Sequence, residues 1–320
     1  MNTMQKALNL PKIALGAWAW GAGAAGGDQV FGNHMSLEEL KPVFEKSIAE
    51  GLNLWDTAAV YGMGSSETML GELMKTVPRE AVRLSTKFTP QIAEEVPNPA
   101  EKMIEDSFER LHTDVIDIYW IHNPADVARW TPELIPLAKA GKVRFIGVSN
   151  HNLEEIKLAN SILAKEGLKV SALQNHYSLL HRSSEDAGIL EYAKENDMTF
   201  FSYMVLEQGA LSGKYDTAHP FPEGSDRAAA YNDSLLQLET LIKSMNEIAE
   251  RHHGTVAQIA TAWAIAKGTV PIVGVTKVNQ VEDAANAVKI NLSTEEIAQL
   301  EELAQGTGVK TLREWEKPMA

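Results

Sequence analysis

Leu52-Asn53-Leu54-Trp55-Asp56-Thr57-Ala58-Ala59-Val60-Tyr61-Gly62 sets a short apolar run against a polar end. Residues 52–55 read as a buried strand, Gly62 and Gly64 punctuate a turn, and Ser65-Ser66-Glu67 opens a helical run. A carboxylate and a phenol thus fall where a strand gives way to a helix, the end at which parallel α/β folds bind ligands. Taken alone, the stretch fits a helix-capping Asp56 and a packed Tyr61 with its hydroxyl in water equally well.

The same unit recurs along the chain. Apolar strands read at 13–16, 82–86, 115–121, 143–148, 170–173, 199–202 and 269–273, in addition to the Asp56 strand. Between them lie helical patterns, among them one opened by the capping box Ser36-Leu37-Glu38-Glu39, one at 99–111 and one at 131–140 with Thr131 as N-cap and Pro132 in the first turn. Others read at 152–167, 184–196, 234–252, 255–267, 279–288 and 293–305. Residues 1–11 carry little signal beyond that of a short hairpin, and the glycine-rich run to Gly32 reads as loop. The connection 204–232 is too long for an ordinary loop, so it is read as a functional lid or a disordered segment, and 307–320 as an irregular tail.

Eight strands alternating with helices predict a single-domain (β/α)8 TIM barrel over 1–320. The competing layout is an open doubly wound sheet, but the G-x-G-x-x-G expected after its first strand is absent. A net charge of -14 and a pI near 5.1 argue against nucleic acid or an anionic membrane surface as partner. The absence of cysteine excludes disulfides, thiolate catalysis and Cys-ligated metals. No signal peptide or apolar stretch of about 18 residues is evident, and the chain reads as soluble and cytoplasmic.

Asp56, Lys87, His122, Ser149, Asn150, Gln174 and Tyr203 each follow an apolar run, and a closed barrel would bring those strand ends to one face. The set suggests proton donation to a carbonyl that accepts hydride. A lysine beside a tyrosine lowers the phenol's pKa, a carboxylate keeps that lysine charged and fixed, and a histidine can complete an oxyanion pocket. No Ser stands in a G-x-S-x-G elbow and no H-E-x-x-H is present, so neither a serine nor a zinc hydrolase is supported, and no metal is expected.

These motifs carry a family likeness. Asp56-Thr57-Ala58 with Tyr61-Gly62, Ser85-Thr86-Lys87, Asp117 to His122, Gly147-Val148-Ser149-Asn150, Gln174 with Tyr177-Ser178, Gly209-Ala210-Leu211-Ser212-Gly213-Lys214, and Pro271 to Gly274 with Gln280 stand in order. In them the chain resembles an aldo-keto reductase over nearly its whole length. The resemblance implies a catalytic tetrad with Tyr61 as general acid, Lys87 and Asp56 tuning it, and His122 orienting the carbonyl. It implies NADPH rather than NADH across the C-terminal face, with the carboxamide on Ser149, Asn150 and Gln174 and the ring on Tyr203. Trp18, Asp56 and Leu206 join the implied cofactor contacts. Gln208, Gly209, Leu211, Gly213 and Lys214 would cover the pyrophosphate, while Gly274, Thr276, Lys277 and Gln280 would hold an adenosine 2′-phosphate.

The chain departs from many relatives at Met204-Val205, where they carry Ser-Pro, and at Asp283-Ala284, where they often carry Glu-Asn. The expected partner is a small-molecule aldehyde or ketone, in a pocket walled by Trp18, Trp20, Tyr61 and Trp120. Two other readings stay open: a nucleotide-binding regulatory subunit like the channel-associated branch of the family, and a barrel lyase or epimerase using the same Tyr and Lys.

Overall fold

The computed structural model describes every residue except Asn33, Trp315 and Ala320. Eight parallel strands, β1 (Ala14–Gly16), β2 (Leu54–Asp56), β3 (Arg83–Phe88), β4 (Ile116–Ile121), β5 (Val143–Ser149), β6 (Val170–His176), β7 (Thr199–Tyr203) and β8 (Val270–Gly274), follow one another around a closed barrel. Closure is made by β1 on β8, with Leu15 opposite Val273. The predicted (β/α)8 barrel is therefore the fold.

Alternation along each strand sorts the side chains. Inward-facing Ala14, Leu54, Ile118, Trp120, Ala172, Phe201 and Val270 form the barrel interior. Their neighbours Leu15, Trp55, Tyr119, Ile121, Leu173 and Phe200 face the surrounding helices. Gly147 on β5 is required by this packing: a Cβ there would lie 2.2 Å from Trp120 Cε3.

The N-terminus differs from the expected hairpin. Thr3–Leu8 is a helix whose cap is Asn2, which accepts from the Gln5 N–H at 2.9 Å while Gln5 Oε1 accepts from the Asn2 N–H at 3.0 Å. Met4, Leu8 and Leu10 close the bottom of the barrel against its interior cluster, at roughly 1.5–3 kcal/mol for each large side chain buried.

Three other expectations are corrected. The glycine-rich run contains a 3-10 turn, Trp18–Trp20, and a short helix, Gly27–Phe31. Thr131 is no N-cap: the helix starts earlier, at Val127–Trp130, with Asp126 Oδ1 accepting from the Arg129 N–H at 3.0 Å, and Pro132 lies in a 3-10 turn before Leu134–Lys139. Gly188, at φ 74°, splits the expected 184–196 helix into Ser183–Asp186 and Ile189–Glu195.

The 204–232 connection is ordered rather than disordered. It holds the helix Asp226–Tyr231 and packs Ala210, Phe221 and Tyr231 against Leu235 and Leu238. The tail after Thr307 has no helix or strand among its described residues, and the expectation for positions 315 and 320 lies outside them. Among the described residues no helix is long and apolar enough to cross a membrane.

Candidate active site

Asp56 is the last residue of β2 and stands in register with Ser85 on β3. Lys87, two residues further on and on the same side of β3, reaches Asp56 Oδ2 at 2.6 Å and the Thr57 carbonyl at 2.7 Å. Its ammonium also donates to Tyr61 Oη at 3.4 Å. The side chain is 0% exposed, so the pair is sealed under the mouth. Gly62 sets the turn that returns Tyr61 over it: φ is +58°, and a Cβ would sit 2.1 Å from Ser65 Oγ.

Burial would depress the Lys87 pKa, but Asp56 and Tyr61 outweigh it and the value is raised. The ammonium is therefore a permanent charge. For Tyr61 the net direction is opposite to that expected. Enclosure pushes the phenol up, Lys87 pulls it down, and Asp56, by offsetting the lysine, pushes it up again. Tyr61 consequently keeps its proton at neutral pH, as an acid must.

His122 follows β4 directly, its ring edge-on to Tyr61 with centroids 5.8 Å apart. Burial, helped by Lys87, holds its pKa well below the usual value, so the ring is neutral. Nδ1 meets Thr89 Oγ1 at 2.8 Å. When that hydroxyl donates, the Nε2 carries the remaining N–H, free for a carbonyl oxygen.

Beneath the pair, Trp120 Nε1 donates to Ser85 Oγ at 2.6 Å, and Ser85 Oγ donates to Asp56 Oδ1 at 2.6 Å. Trp120, at 0% exposure, is thus the floor under Asp56 and no pocket wall. Trp20 is likewise core, packed on Trp55 with centroids 4.6 Å apart and donating to the Val275 carbonyl at 2.6 Å. Trp18 does face the mouth, stacked on Tyr61 at 5.5 Å and met edge-on by Phe31 at 5.2 Å. Ser85 enters the sequence reading only within the Ser85-Thr86-Lys87 motif, without a role, and Thr89 not at all; each lies two residues from Lys87, on alternate positions of one strand and its exit, and that spacing was the available signal.

On the far wall, Ser149 Oγ donates to the Gln174 carbonyl at 2.8 Å and Gln174 Nε2 to Asp56 Oδ1 at 3.2 Å. Asn150, at φ 61°, donates to the His122 carbonyl at 3.0 Å and receives the Tyr203 hydroxyl at 2.6 Å. These four residues converge with the tetrad.

The loop after β7 is less open than expected. Met204, Glu207 and Gln208 all have positive φ, an accumulation of strain suited to a fixed function, and Gly209 follows at φ 109° without strain. Leu206 is half-buried, the Leu211 side chain is wholly buried, and Gln208 Oε1 accepts from Arg313 at 3.1 Å. Gly213 and Lys214 are exposed.

At β8, Gly274 is open, with nothing within 4 Å of an added Cβ. Gln280 Oε1 turns back to cap the Thr276 and Lys277 N–H groups at 2.7 and 3.0 Å, so of this group the exposed Lys277 side chain faces solvent. Asp283 accepts from Gln258 at 2.8 Å and Ala284 is buried.

The sequence profile of the Aldo/keto reductase family matches residues 12–305. The chain belongs to that family. Pyridoxal reductase, chloroplastic, of Arabidopsis thaliana is 30% identical over 316 residues, covering 93% of this chain and 84% of the plant protein. An aldo/keto reductase from Klebsiella pneumoniae, solved in complex with NADP and acetate, matches with a TM-score of 0.72 at 25% identity, over 97% of this chain and 94% of that one. Glycerol dehydrogenase from Gluconobacter oxydans gives a TM-score of 0.80 over 96% and 95% of the two chains, a likeness of fold at 24% identity. In this aldo/keto reductase, then, the residues picked at successive strand ends share one barrel mouth with the buried Lys87 at its centre.

Proposed function

We propose that the protein is an NADPH-dependent carbonyl reductase, converting an aldehyde or ketone to an alcohol with Tyr61 as general acid. One observation carries the reading: a fully buried ammonium lies 2.6 Å from a carboxylate and 3.4 Å from a phenol hydroxyl at the open end of the barrel. NADPH, when bound, supplies the hydride. Tyr61 gives its proton to the carbonyl oxygen as negative charge develops there. Lys87 stabilises the phenolate left behind, and Asp56 and the Thr57 carbonyl hold that lysine in place. His122, neutral, offers an N–H to the same oxygen.

The residues present fit the cofactor. Hydroxyl and amide groups of Ser149, Asn150 and Gln174 suit a carboxamide, and the Tyr203 ring suits a flat heterocycle beside it. The exposed Lys214 and Lys277 supply positive charge on an acidic chain, which favours NADPH over NADH. The Klebsiella neighbour, solved with NADP, supports the choice. Trp18 and Phe31 form an aromatic wall beside Tyr61, and a relative named a pyridoxal reductase makes aromatic aldehydes the first substrates to try.

Tyr61→Phe is expected to lower turnover of an aromatic aldehyde by about 10²–10⁴-fold while NADPH still quenches tryptophan fluorescence. Retained turnover would remove Tyr61 as the acid. Lys277→Ala is expected to narrow the NADPH-over-NADH affinity ratio by about tenfold, the worth of one hydrogen bond to a charged group. An unchanged ratio takes Lys277 out of the phosphate site.

A further inference from the structure

The β6–β7 side of the mouth carries charged groups that no step above uses. His176 ends β6 and pairs in register with Tyr203 at the end of β7. Its imidazole lies against the Tyr203 ring, centroids 5.6 Å apart at 29°, and also stacks on His181 at 4.0 Å. Nε2 stands 2.8 Å from Glu207 Oε1, and Nδ1 2.9 Å from Glu316 Oε2. A carboxylate only accepts, so both nitrogens donate and the ring is an imidazolium. The other oxygen of Glu316 receives the Tyr203 hydroxyl at 2.7 Å.

Glu316 belongs to the irregular C-terminal segment, which is tied down at several points. The Arg313 N–H donates to Glu316 Oε2 at 3.0 Å, and its guanidinium donates to Gln208 and lies 4.7 Å from the Tyr231 ring centroid. Lys317 pairs with Glu155, and Met319, 5% exposed, accepts from Asn175 at 3.4 Å. The segment thus runs from the loop after β7 to the helix Leu153–Ala164, crossing beside Tyr203.

We propose that Glu316 is a positioning residue for the nicotinamide ring: it fixes Tyr203 from the C-terminal segment and sets a negative charge at that ring's edge, favouring the oxidised, cationic nicotinamide over the reduced, neutral one. The proposal rests on the reading that the nicotinamide lies on Tyr203. The Tyr203 hydroxyl has one proton and two acceptors, Asn150 Oδ1 at 2.6 Å and Glu316 Oε1 at 2.7 Å. The charged acceptor makes the stronger bond. Asn150 Oδ1 is then left to accept from the carboxamide NH2, and Glu316 settles the orientation of both platform residues at once. Glu207, hydrogen-bonded also to Tyr231 at 2.6 Å, still pairs His176 when Glu316 is replaced by Gln; the amide oxygen can go on accepting from His176 and the Arg313 N–H while its NH2 faces the Tyr203 oxygen, so the change removes one negative charge and reverses the bond to Tyr203.

The test measures dissociation constants of NADP+ and NADPH by tryptophan fluorescence for the wild type, Glu316→Gln, Glu316→Asp and Tyr203→Leu. Glu316→Gln is expected to weaken NADP+ on the order of tenfold more than NADPH, as for one charge at short range in a partly screened site. Glu316→Asp should restore much of the difference. Equal weakening of both forms, or no change in either, overturns the proposal. Tyr203→Leu should weaken both forms; if it changes neither, the placement of the nicotinamide on Tyr203 has failed, whereas a weakened Tyr203→Leu beside an unaffected Glu316→Gln sinks only the role of Glu316. Should Glu316→Gln not fold, Tyr203→Phe cuts the same hydrogen bond and keeps the ring. It is then expected to weaken binding severalfold, and unchanged binding overturns the proposal.

Discussion

Two buried cations stand on different strands of the barrel, Lys87 on β3 and His176 at the end of β6, and they are held differently. Lys87 has one carboxylate, Asp56, from the neighbouring strand, then the Thr57 carbonyl, and its third contact is the Tyr61 phenol. His176 has a carboxylate on each nitrogen, one from the loop after β7 and one from the C-terminal segment 140 residues away. Strand register and the turn at Gly62 place the first set; the second exists only once loop and tail have docked. The result is a division of labour, with the proposed proton-transfer groups held by the strands and the turn after β2, and the proposed ring platform secured by irregular segments.

The largest expected effect lies on the strand side. Lys87→Met leaves Asp56 buried beside Ser85 and Gln174 with no cation, and breaking a buried pair by removing one partner costs about 3–5 kcal/mol. Urea unfolding and aldehyde turnover should both fall sharply. A variant as stable as the wild type would mean that Asp56 finds water or a proton, and that the strand side is no more rigid than the other.

The His176 side is probed by pH. Burial would hold the imidazole neutral, but Glu207 and Glu316 outweigh it and lift its pKa to about 9, against the usual 6.5. The folded value is the higher, so the stabilisation is complete below pH 6.5 and lost as pH rises through about 9. The groups facing it stay fixed in that window: Glu207 and Glu316 are lowered and remain ionised, His181 is held down at about 4, and Tyr203 is raised well above 10. Unfolding free energies from urea titrations at pH 6 and pH 9.5 should therefore differ by a few kcal/mol more in the wild type than in His176→Gln. Parallel losses in the two proteins would show that the clamp adds nothing.

The same contrast explains what could be read from the sequence. Asp56, Lys87 and His122 were legible because a polar residue after an apolar run marks a strand end, and closing the barrel brings strand ends together. The N-terminal helix was missed although Asn2 and Gln5 stand at capping-box spacing, since so short a pattern takes its stability from Met4 and Leu8 against the barrel floor. Trp20 and Trp120 were misplaced because aromatic character does not say which face of a strand or turn a ring occupies. Glu316 had no local signature at all: its meaning comes from partners at 176 and 203.

The smallest effect asks how far the rigidity of the strand side reaches below the reacting groups. Ser85 Oγ accepts from Trp120 and donates to Asp56, so Ser85→Ala leaves a buried indole N–H unpaired and Asp56 Oδ1 with one donor fewer. Losing such a partner costs about 1–3 kcal/mol. Asp56 keeps Lys87 through its other oxygen, and the proposed proton-transfer set is weakened rather than dismantled. Stability should thus drop by about that amount while turnover falls much less than in Lys87→Met. Loss of turnover as complete as in Lys87→Met would show that the orientation of Asp56, and not its charge, is what the strands supply.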